Sequence, residues 1–151
     1  MPQSLAQIYV HLVFSTKERQ PLLLNGGFRK RTHAYLAGVC KEHESPAVVI
    51  GGVADHVHIL SRLGRTIDLA TLVRELKRDS SKWIKENDPR LRGFHWQAGY
   101  GAFSVSPSHV DALVRYIENQ EEHHRAVTFQ DEFRRICKKY GVEIDERYVS
   151  D

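Results

Sequence analysis

Residues 47–60, with the sequence AVVIGGVADHVHIL, are the most informative part of the chain about its architecture. Two short runs of mostly β-branched and aliphatic residues flank a pair of glycines, which is typical of a β-hairpin. Alternation along the second run places His56 and His58 on one face of the strand and Val57 and Ile59 on the other. The hairpin therefore offers one face to an apolar core and two imidazoles to the opposite side.

Segments on both sides of this hairpin extend it to a β-α-β-β-α-β order. Residues 8–14 and 96–105 predict one strand before the hairpin and one after it. Apolar residues at helical spacing predict the connecting helices over residues 26–43 and 67–86. This order predicts an α+β, ferredoxin-like core, in which a four-stranded antiparallel sheet carries its helices on one face.

Two further helices are predicted after the core. Ser106-Pro107 provides a capping hydroxyl and then a proline at the first helical position, so a helix is expected to run to about residue 124. Thr128 followed by Asp131 resembles a capping box and predicts a last helix. The chain has 151 residues and no long linker or repeat, so we expect one domain over residues 1–151.

Composition excludes several classes of protein. No stretch approaches the roughly 20 apolar residues of a membrane-spanning helix, and the first residues lack the features of a secretory signal. Cys40 and Cys137 lie far apart in apolar helical patterns, which indicates free thiols. We therefore expect a cytoplasmic protein with no membrane partner. The net charge is only +3, but the basic residues cluster, which favours a polyanionic partner as much as an ordinary solvated surface.

The residues that could carry chemistry form two pairs. His56 and His58 leave one side of a strand roughly 7 Å apart at the backbone, and they could converge on one cation or simply be satisfied by hydrogen bonds. Tyr116 and Gln120 are four apart and share a helical face, where a tyrosine is more often structural. A phenol of pKa about 10 is a poor nucleophile unless its attack on a phosphate is assisted. A divalent ion with imidazole and amide ligands could polarise the phosphate and provide that assistance.

These pairs belong to four ordered motifs, which are YVHLVF at residues 9–14, DHVHIL at 55–60, WQAGYG with FSVS at 96–106, and YIENQ at 116–120. The central HVH resembles the His-hydrophobic-His motif of HUH endonucleases. Together, over nearly the whole chain, the motifs resemble the single-tyrosine HUH transposases of small insertion sequences and their REP-associated relatives.

The resemblance implies a mechanism. Tyr116 would be the nucleophile that forms a 5′-phosphotyrosine link and releases a 3′-hydroxyl, while His56, His58 and Gln120 would hold Mg²⁺ or Mn²⁺. The substrate would be single-stranded DNA marked by a hairpin. The protein would be a homodimer joined sheet edge to sheet edge, in which the tyrosine helix of one subunit can complete the histidine site of the other. No glycine-rich phosphate loop is present, so no nucleotide cofactor is expected.

The resemblance also implies that basic residues contact the DNA backbone and position the hairpin. The candidates are Lys17, Arg19, Arg74, Lys77, Arg78 and Lys82. His123 and His124 could approach the phosphate, but we interpret them as favourable charges near the negative end of their helix.

Two alternative functions stay open. A domesticated relative could bind hairpin DNA without cutting it, although such a protein would not need all four residues of the site. A metal-dependent phosphodiesterase could use the histidine pair with water as the nucleophile. The third histidine expected in the His-φ-His-φ-His runs of such enzymes is replaced here by Leu60.

Overall fold

The computed structural model describes residues 3–146, which contain four strands, five α-helices and three 3₁₀ turns. In chain order the strands and helices are β1 Tyr9–Ser15, α1 Gly26–Glu42, β2 Ala47–Val53, β3 His56–Arg62, α2 Leu69–Asn87, β4 Gly101–Val105, α3 Val110–Glu118, α4 Gln120–His123 and α5 Phe129–Lys139. The 3₁₀ turns are Lys17–Arg19, Pro89–Leu91 and Pro107–His109. No helix in this part of the chain has both the length and the apolarity needed to span a bilayer.

The strands form one antiparallel sheet in the order β2-β3-β1-β4. This is the ferredoxin-like order, so the fold class predicted from the sequence is confirmed. β1 and β3 are the central strands and are buried over most of their length, whereas β2 and β4 are the edges. The register between the central strands sets His58 opposite Val13 and His56 opposite Ser15. The histidine pair therefore projects from a central strand.

One face of the sheet packs against α1 and α2. Strand alternation turns every second side chain of β1 and β3 toward these helices, where they meet the apolar stripes of the helices. This core includes Leu12, Phe14, Val57, Ile59, Leu36, Leu72 and Leu76. Trp96 closes one end of it, and its indole N–H donates to the hydroxyl oxygen of Ser80 at 2.9 Å.

The C-terminal helices cover the opposite face of the sheet. The ferredoxin-like core alone was predicted to carry helices on one face, so the whole chain has helices on both. Ile117 of α3 packs against Leu60, while Phe129 of α5 packs near Val13 and Phe103. These contacts bury the apolar stripes of the helices that were predicted after the core. Because the histidines project from the same face, the C-terminal helices cover them as well.

The helix predicted to run to about residue 124 is interrupted. Residues 107–109 form a 3₁₀ turn, α3 ends at Glu118, and Asn119 has an irregular backbone (φ −98°, ψ 20°) before α4. Asparagine is unfavourable inside helices because its side chain competes for backbone hydrogen bonds, which suits it to such a break. The next boundary is as predicted, since the Thr128 side chain accepts from the Asp131 N–H at 3.3 Å and opens α5.

The packing of α3 on β2 depends on Gly51. A methyl group added there would overlap the carbonyl oxygen of Ile117 and lie 2.9 Å from its Cγ2. Only glycine permits so close an approach of a helix to a strand. Gly51 is paired with His58 across the β2–β3 ladder, so the same contact sets the distance between α3 and the histidine strand.

Candidate metal and nucleophile site

The two histidines of β3 converge as their spacing predicts. His56 and His58 are both fully buried beneath the C-terminal helices, and their ring centroids lie 5.2 Å apart. Each ring has one nitrogen engaged by a supporting group. His56 Nδ1 lies 2.7 Å from Asp55 Oδ1, and His58 Nδ1 lies 2.8 Å from His11 Nε2. Such partners orient imidazole rings and are usual for metal-binding histidines. Because each Nδ1 is engaged, the Nε2 atom of each ring faces the centre of the site.

Gln120 meets this pair through its amide oxygen. Its Oε1 lies 3.1 Å from His56 Nε2, and the side chain is almost entirely buried. Its amide Nε2 donates to Glu132 at 3.0 Å, which turns the oxygen toward the imidazole. The three residues predicted to bind metal are therefore brought together, although the break at Asn119 places Gln120 on α4 rather than on the helix of Tyr116.

Glu132 is the residue at the centre of the site that the sequence did not predict. It lies in the first turn of α5 and is 1% exposed. Its Oε1 is 3.0 Å from His58 Nε2 and 3.2 Å from His56 Nε2. Its Oε2 accepts hydrogen bonds from the amide of Gln120 and from the phenol of Tyr116. One carboxylate oxygen thus faces the imidazoles, and the other faces the phenol.

Tyr116 reaches the same centre within the same chain. Its ring is half-buried at the edge of the apolar stripe of α3, and its centroid lies 5.8 Å from the ring of His58. The hydroxyl donates to Glu132 Oε2. The tyrosine therefore lies beside the histidine pair of its own chain, with the carboxylate between them.

His124 also belongs to this cluster. Its Nε2 lies 3.0 Å from Glu132 Oε1, and its ring centroid is 4.4 Å from that of His56. The neighbouring His123 is 3.5 Å from Glu132 Oε2. The interpretation of these two histidines as helix-end charges is therefore wrong. They turn inward because the chain reverses after α4 and brings α5 back against them.

Burial and charge together set the protonation of the cluster. Burial alone would raise the pKa of Glu132, but hydrogen bonds from the surrounding imidazoles hold it well below its usual range. Burial likewise opposes protonation of His56, yet its hydrogen bonds to Asp55 and Glu132 raise its pKa to about 9. Burial lowers the pKa of His58. The carboxylate is therefore anionic, and one imidazole carries a balancing proton.

The phenol is held in its neutral form. Burial, followed by the hydrogen bond to Glu132, raises the pKa of Tyr116, while Gln120 and then the positive charge of Arg135 act in the opposite direction. A neutral phenol is a weak nucleophile, so reaction at this position requires additional positive charge near the oxygen or near the group it attacks.

The donor set suits a divalent cation. Ligand atoms of His56, His58, His124 and Glu132 all lie within 4.8 Å of one another. The separations of 3.0 to 3.2 Å between Glu132 Oε1 and the imidazole nitrogens resemble those of adjacent ligands around an ion with bonds of about 2.1 Å. A buried carboxylate would also offset part of the ion's charge. The cluster could therefore hold a metal ion.

The basic residues predicted to contact DNA fall into two groups. Those on α2 lie beyond the sheet face opposite the histidines, since α2 packs on the other core. Among them, Arg78 pairs with Glu75 and Asp79, while Lys77 donates to the carbonyls of Gln97 and Gly99. Burial lowers the pKa of Lys77 to about 8.

The other four basic residues predicted to contact DNA lie partly on α2 and partly in the turn after β1. Arg74 and Lys82 are exposed on α2. Lys17 is exposed in the turn after β1, and Arg19 lines a shallow cleft together with Asp55 and His124. Arg19 therefore lies beside the C-terminal helices, whereas α2 packs on the other face of the sheet, so the six residues do not form one surface.

Comparison with known proteins supports the sequence resemblance. A family model described as Transposase IS200 like matches residues 4–120, which include the histidine pair, Tyr116 and Gln120 but not α5. No curated protein matches the chain. A provisionally assigned transposase from Deinococcus radiodurans R1 is similar in structure, with a TM-score of 0.64, 24% identity, and coverage of 78% of this chain and 93% of that chain.

A second solved structure has the same fold. It is a REP-associated tyrosine transposase bound to a REP hairpin, with a TM-score of 0.60 and 15% identity over 99% of this chain and 88% of that chain. At these identities the two structures show the shared fold. The arrangement of the site rests on the contacts described above.

Proposed function

Because the chain belongs to the IS200-like transposase family, we propose that it cuts and rejoins single-stranded DNA at hairpin-marked ends through a 5′-phosphotyrosine intermediate. The observation that carries this proposal is the hydrogen bond of the Tyr116 phenol to Glu132, whose other oxygen faces His56 and His58. A tyrosine aimed at a potential metal cluster is the arrangement that covalent attack on a phosphate requires.

In the proposed reaction, Tyr116 Oη attacks the scissile phosphorus. A bond forms between Oη and phosphorus while the bond from phosphorus to the 3′-oxygen breaks, and the departing oxygen takes up a proton from water to become a free 3′-hydroxyl. Glu132 Oε2 is the nearest acceptor for the phenol proton. Rejoining is the reverse step, in which the 3′-hydroxyl of another end displaces the phenol. Each step exchanges one phosphodiester for another, so the reaction needs no nucleotide cofactor.

We propose His56, His58 and Gln120 as ligands of Mg²⁺ or Mn²⁺, together with Glu132. When bound, the ion would act as a Lewis acid that polarises the scissile phosphate. The chain's own residues orient these ligands: Asp55 holds the far nitrogen of His56, His11 holds the far nitrogen of His58, and the Gln120 oxygen is turned toward His56. Imidazole nitrogens combined with hard oxygen ligands are compatible with either ion.

We also propose a cytoplasmic homodimer, as the sequence resemblance implies. The edge strands β2 and β4 are the surfaces through which two sheets could join. Because Tyr116 contacts Glu132 of its own chain, we propose that each subunit reacts with its own tyrosine. A mixture of Tyr116→Phe and His58→Ala variants should then stay inactive, whereas recovery of cleavage would show that the tyrosine acts across the dimer.

The proposed function is tested by trapping the covalent intermediate. Wild-type protein is incubated with 3′-labelled hairpin-bearing single-stranded DNA and Mg²⁺ or Mn²⁺, then resolved on a denaturing gel. We expect a protein–DNA adduct that Tyr116→Phe abolishes. We expect His58→Ala to lose cleavage and to retain hairpin binding, because the hairpin contacts are proposed elsewhere. Cleavage without an adduct would favour the phosphodiesterase, and binding without cleavage would favour the domesticated binder.

A further inference from the structure

A cleft of about 560 Å³ opens beside the nucleophile. It lies between the β4–α3 connection and α5, and Tyr116 and Glu132 form its inner end. A volume of this size falls in the range of pockets that bind small organic groups. Its lining includes Val105, Leu113, Ile136 and Tyr140, together with Arg135 and Lys139.

The cleft combines an apolar wall with two cations. Arg135 and Lys139 are four residues apart, so they share the face of α5 that borders the cleft. Both are exposed, and neither takes part in an ion pair within residues 3–146. Arg134, by contrast, lies away from the cleft and pairs with Glu146. Among the described residues that line the cleft, Glu132 is the one carboxylate, and it is already engaged by the imidazoles and the phenol.

We propose that this cleft binds the single-stranded nucleotide next to the cleaved bond. Arg135 and Lys139 contact the flanking phosphate, and the base lies against the apolar wall formed by Leu113, Ile136 and Tyr140. The proposal rests on the proposed function, because the bound strand is the one that Tyr116 would cut. α5 lies beyond residues 4–120, so the family match does not assign it a role.

The chemistry of the cleft selects this occupant. Nucleic acid strands bind where cations follow the backbone and where bases find apolar or aromatic surfaces. Arg135 lies close enough to the nucleophile to bind a phosphate there, since its positive charge acts to lower the pKa of both Tyr116 and His123. A duplex, whose major groove alone is about 12 Å wide, is too large to enter a cleft of this volume. A single strand fits both the charge and the size.

The test measures the binding of a short fluorescein-labelled oligothymidylate by fluorescence anisotropy, with EDTA present so that metal plays no part. The variants are Arg135→Gln and Lys139→Gln. Lys138→Gln is the matched control, because Lys138 is exposed on the same helical turn but does not line the cleft. Circular dichroism confirms that each variant is folded.

Each cleft variant should weaken binding about fivefold at about 0.1 M salt and reduce the slope of log K against log salt by about 0.7, the value for one lost phosphate contact on a single strand. Lys138→Gln should leave both quantities near wild type. A bromodeoxyuridine strand irradiated in the complex should crosslink to Tyr140. Equal behaviour of all three glutamine variants, or no binding by the wild type, would overturn the proposal.

The two proposals can fail separately. If the wild type forms the tyrosine adduct while the cleft variants bind like Lys138→Gln, the cleft assignment is wrong and the proposed function stands. If the cleft variants weaken binding but no adduct forms under any metal condition, the cleft assignment stands and the proposed function is wrong.

Discussion

Replacing Gly51 with alanine tests whether the close packing of α3 on β2 sets the position of the nucleophile. The added methyl would overlap the carbonyl oxygen of Ile117 and lie 2.9 Å from Cγ2 of the same residue. Non-bonded carbon atoms are normally about 3.5–4.0 Å apart, so Ile117 must retreat by roughly 0.6–1.1 Å. Tyr116 is the preceding residue on the same helix and would move with it.

The expected consequences follow from that displacement. A misplacement of about 1 Å at a reacting group can cost about 100-fold in rate, so we expect Gly51→Ala to slow single-turnover cleavage by about that factor. Overpacking of this kind also costs typically about 1–3 kcal/mol in the free energy of unfolding. Urea titration in EDTA measures the stability, and radiolabelled hairpin DNA measures the cleavage rate under conditions where the variant is folded.

Gly38→Ala is the matched control for this substitution. Gly38 lies in the middle of α1, and a methyl group added there meets no atom within 4 Å. Alanine should therefore raise stability by about 0.5–1 kcal/mol and leave cleavage unchanged. If folded Gly51→Ala cleaved DNA as fast as Gly38→Ala, the contact with Ile117 would not position the tyrosine and the reasoning would be refuted.

Three further predictions concern the metal cluster and the core. Glu132→Gln should weaken Mn²⁺ binding at least about tenfold by isothermal calorimetry; an unchanged affinity would exclude Glu132 as a ligand. Because the pKa of His56 is raised to about 9, its stabilising effect on the metal-free protein is fully present below about pH 6.5 and is lost as the pH rises through about 9. Urea unfolding in EDTA should show this loss as a decrease of at most about 3 kcal/mol in the free energy of unfolding. A free energy of unfolding that does not change over this pH range would contradict the prediction. Ser80→Ala should lower the free energy of unfolding by about 1–3 kcal/mol, because it leaves the buried indole N–H of Trp96 without its acceptor. The same urea assay measures this change. A stability equal to wild type would show that water replaces the hydroxyl.

The features that local pattern determines were predictable. Alternation in β3 alone places His56 and His58 on one face, and Thr128 with Asp131 marks the start of α5 correctly. The strand order followed from the order of the elements and from the short hairpin connection. These predictions rest on contacts between residues close in sequence, where the spacing of side chains is set by the backbone.

The features that depend on docking between distant segments were not predictable. Glu132 meets His58 across 74 positions of the chain, and in the sequence it is an ordinary acidic residue in the first turn of a helix. Its role follows from α5 folding back over the sheet. His124 was misinterpreted for the same reason, because its partner is supplied by that helix. The break at Asn119 was missed because the apolar spacing of α3 continues toward it.

Identifying the residue joined to DNA tests the role of Tyr116 as the nucleophile. Adduct formed by the wild-type protein with Mg²⁺ or Mn²⁺ would be digested with trypsin and nuclease, and the modified peptide sequenced by mass spectrometry. We predict one phosphotyrosine linkage to a 5′-nucleotide, at Tyr116, and none in the presence of EDTA. A linkage at any other residue, or an adduct that persists in Tyr116→Phe, would contradict it.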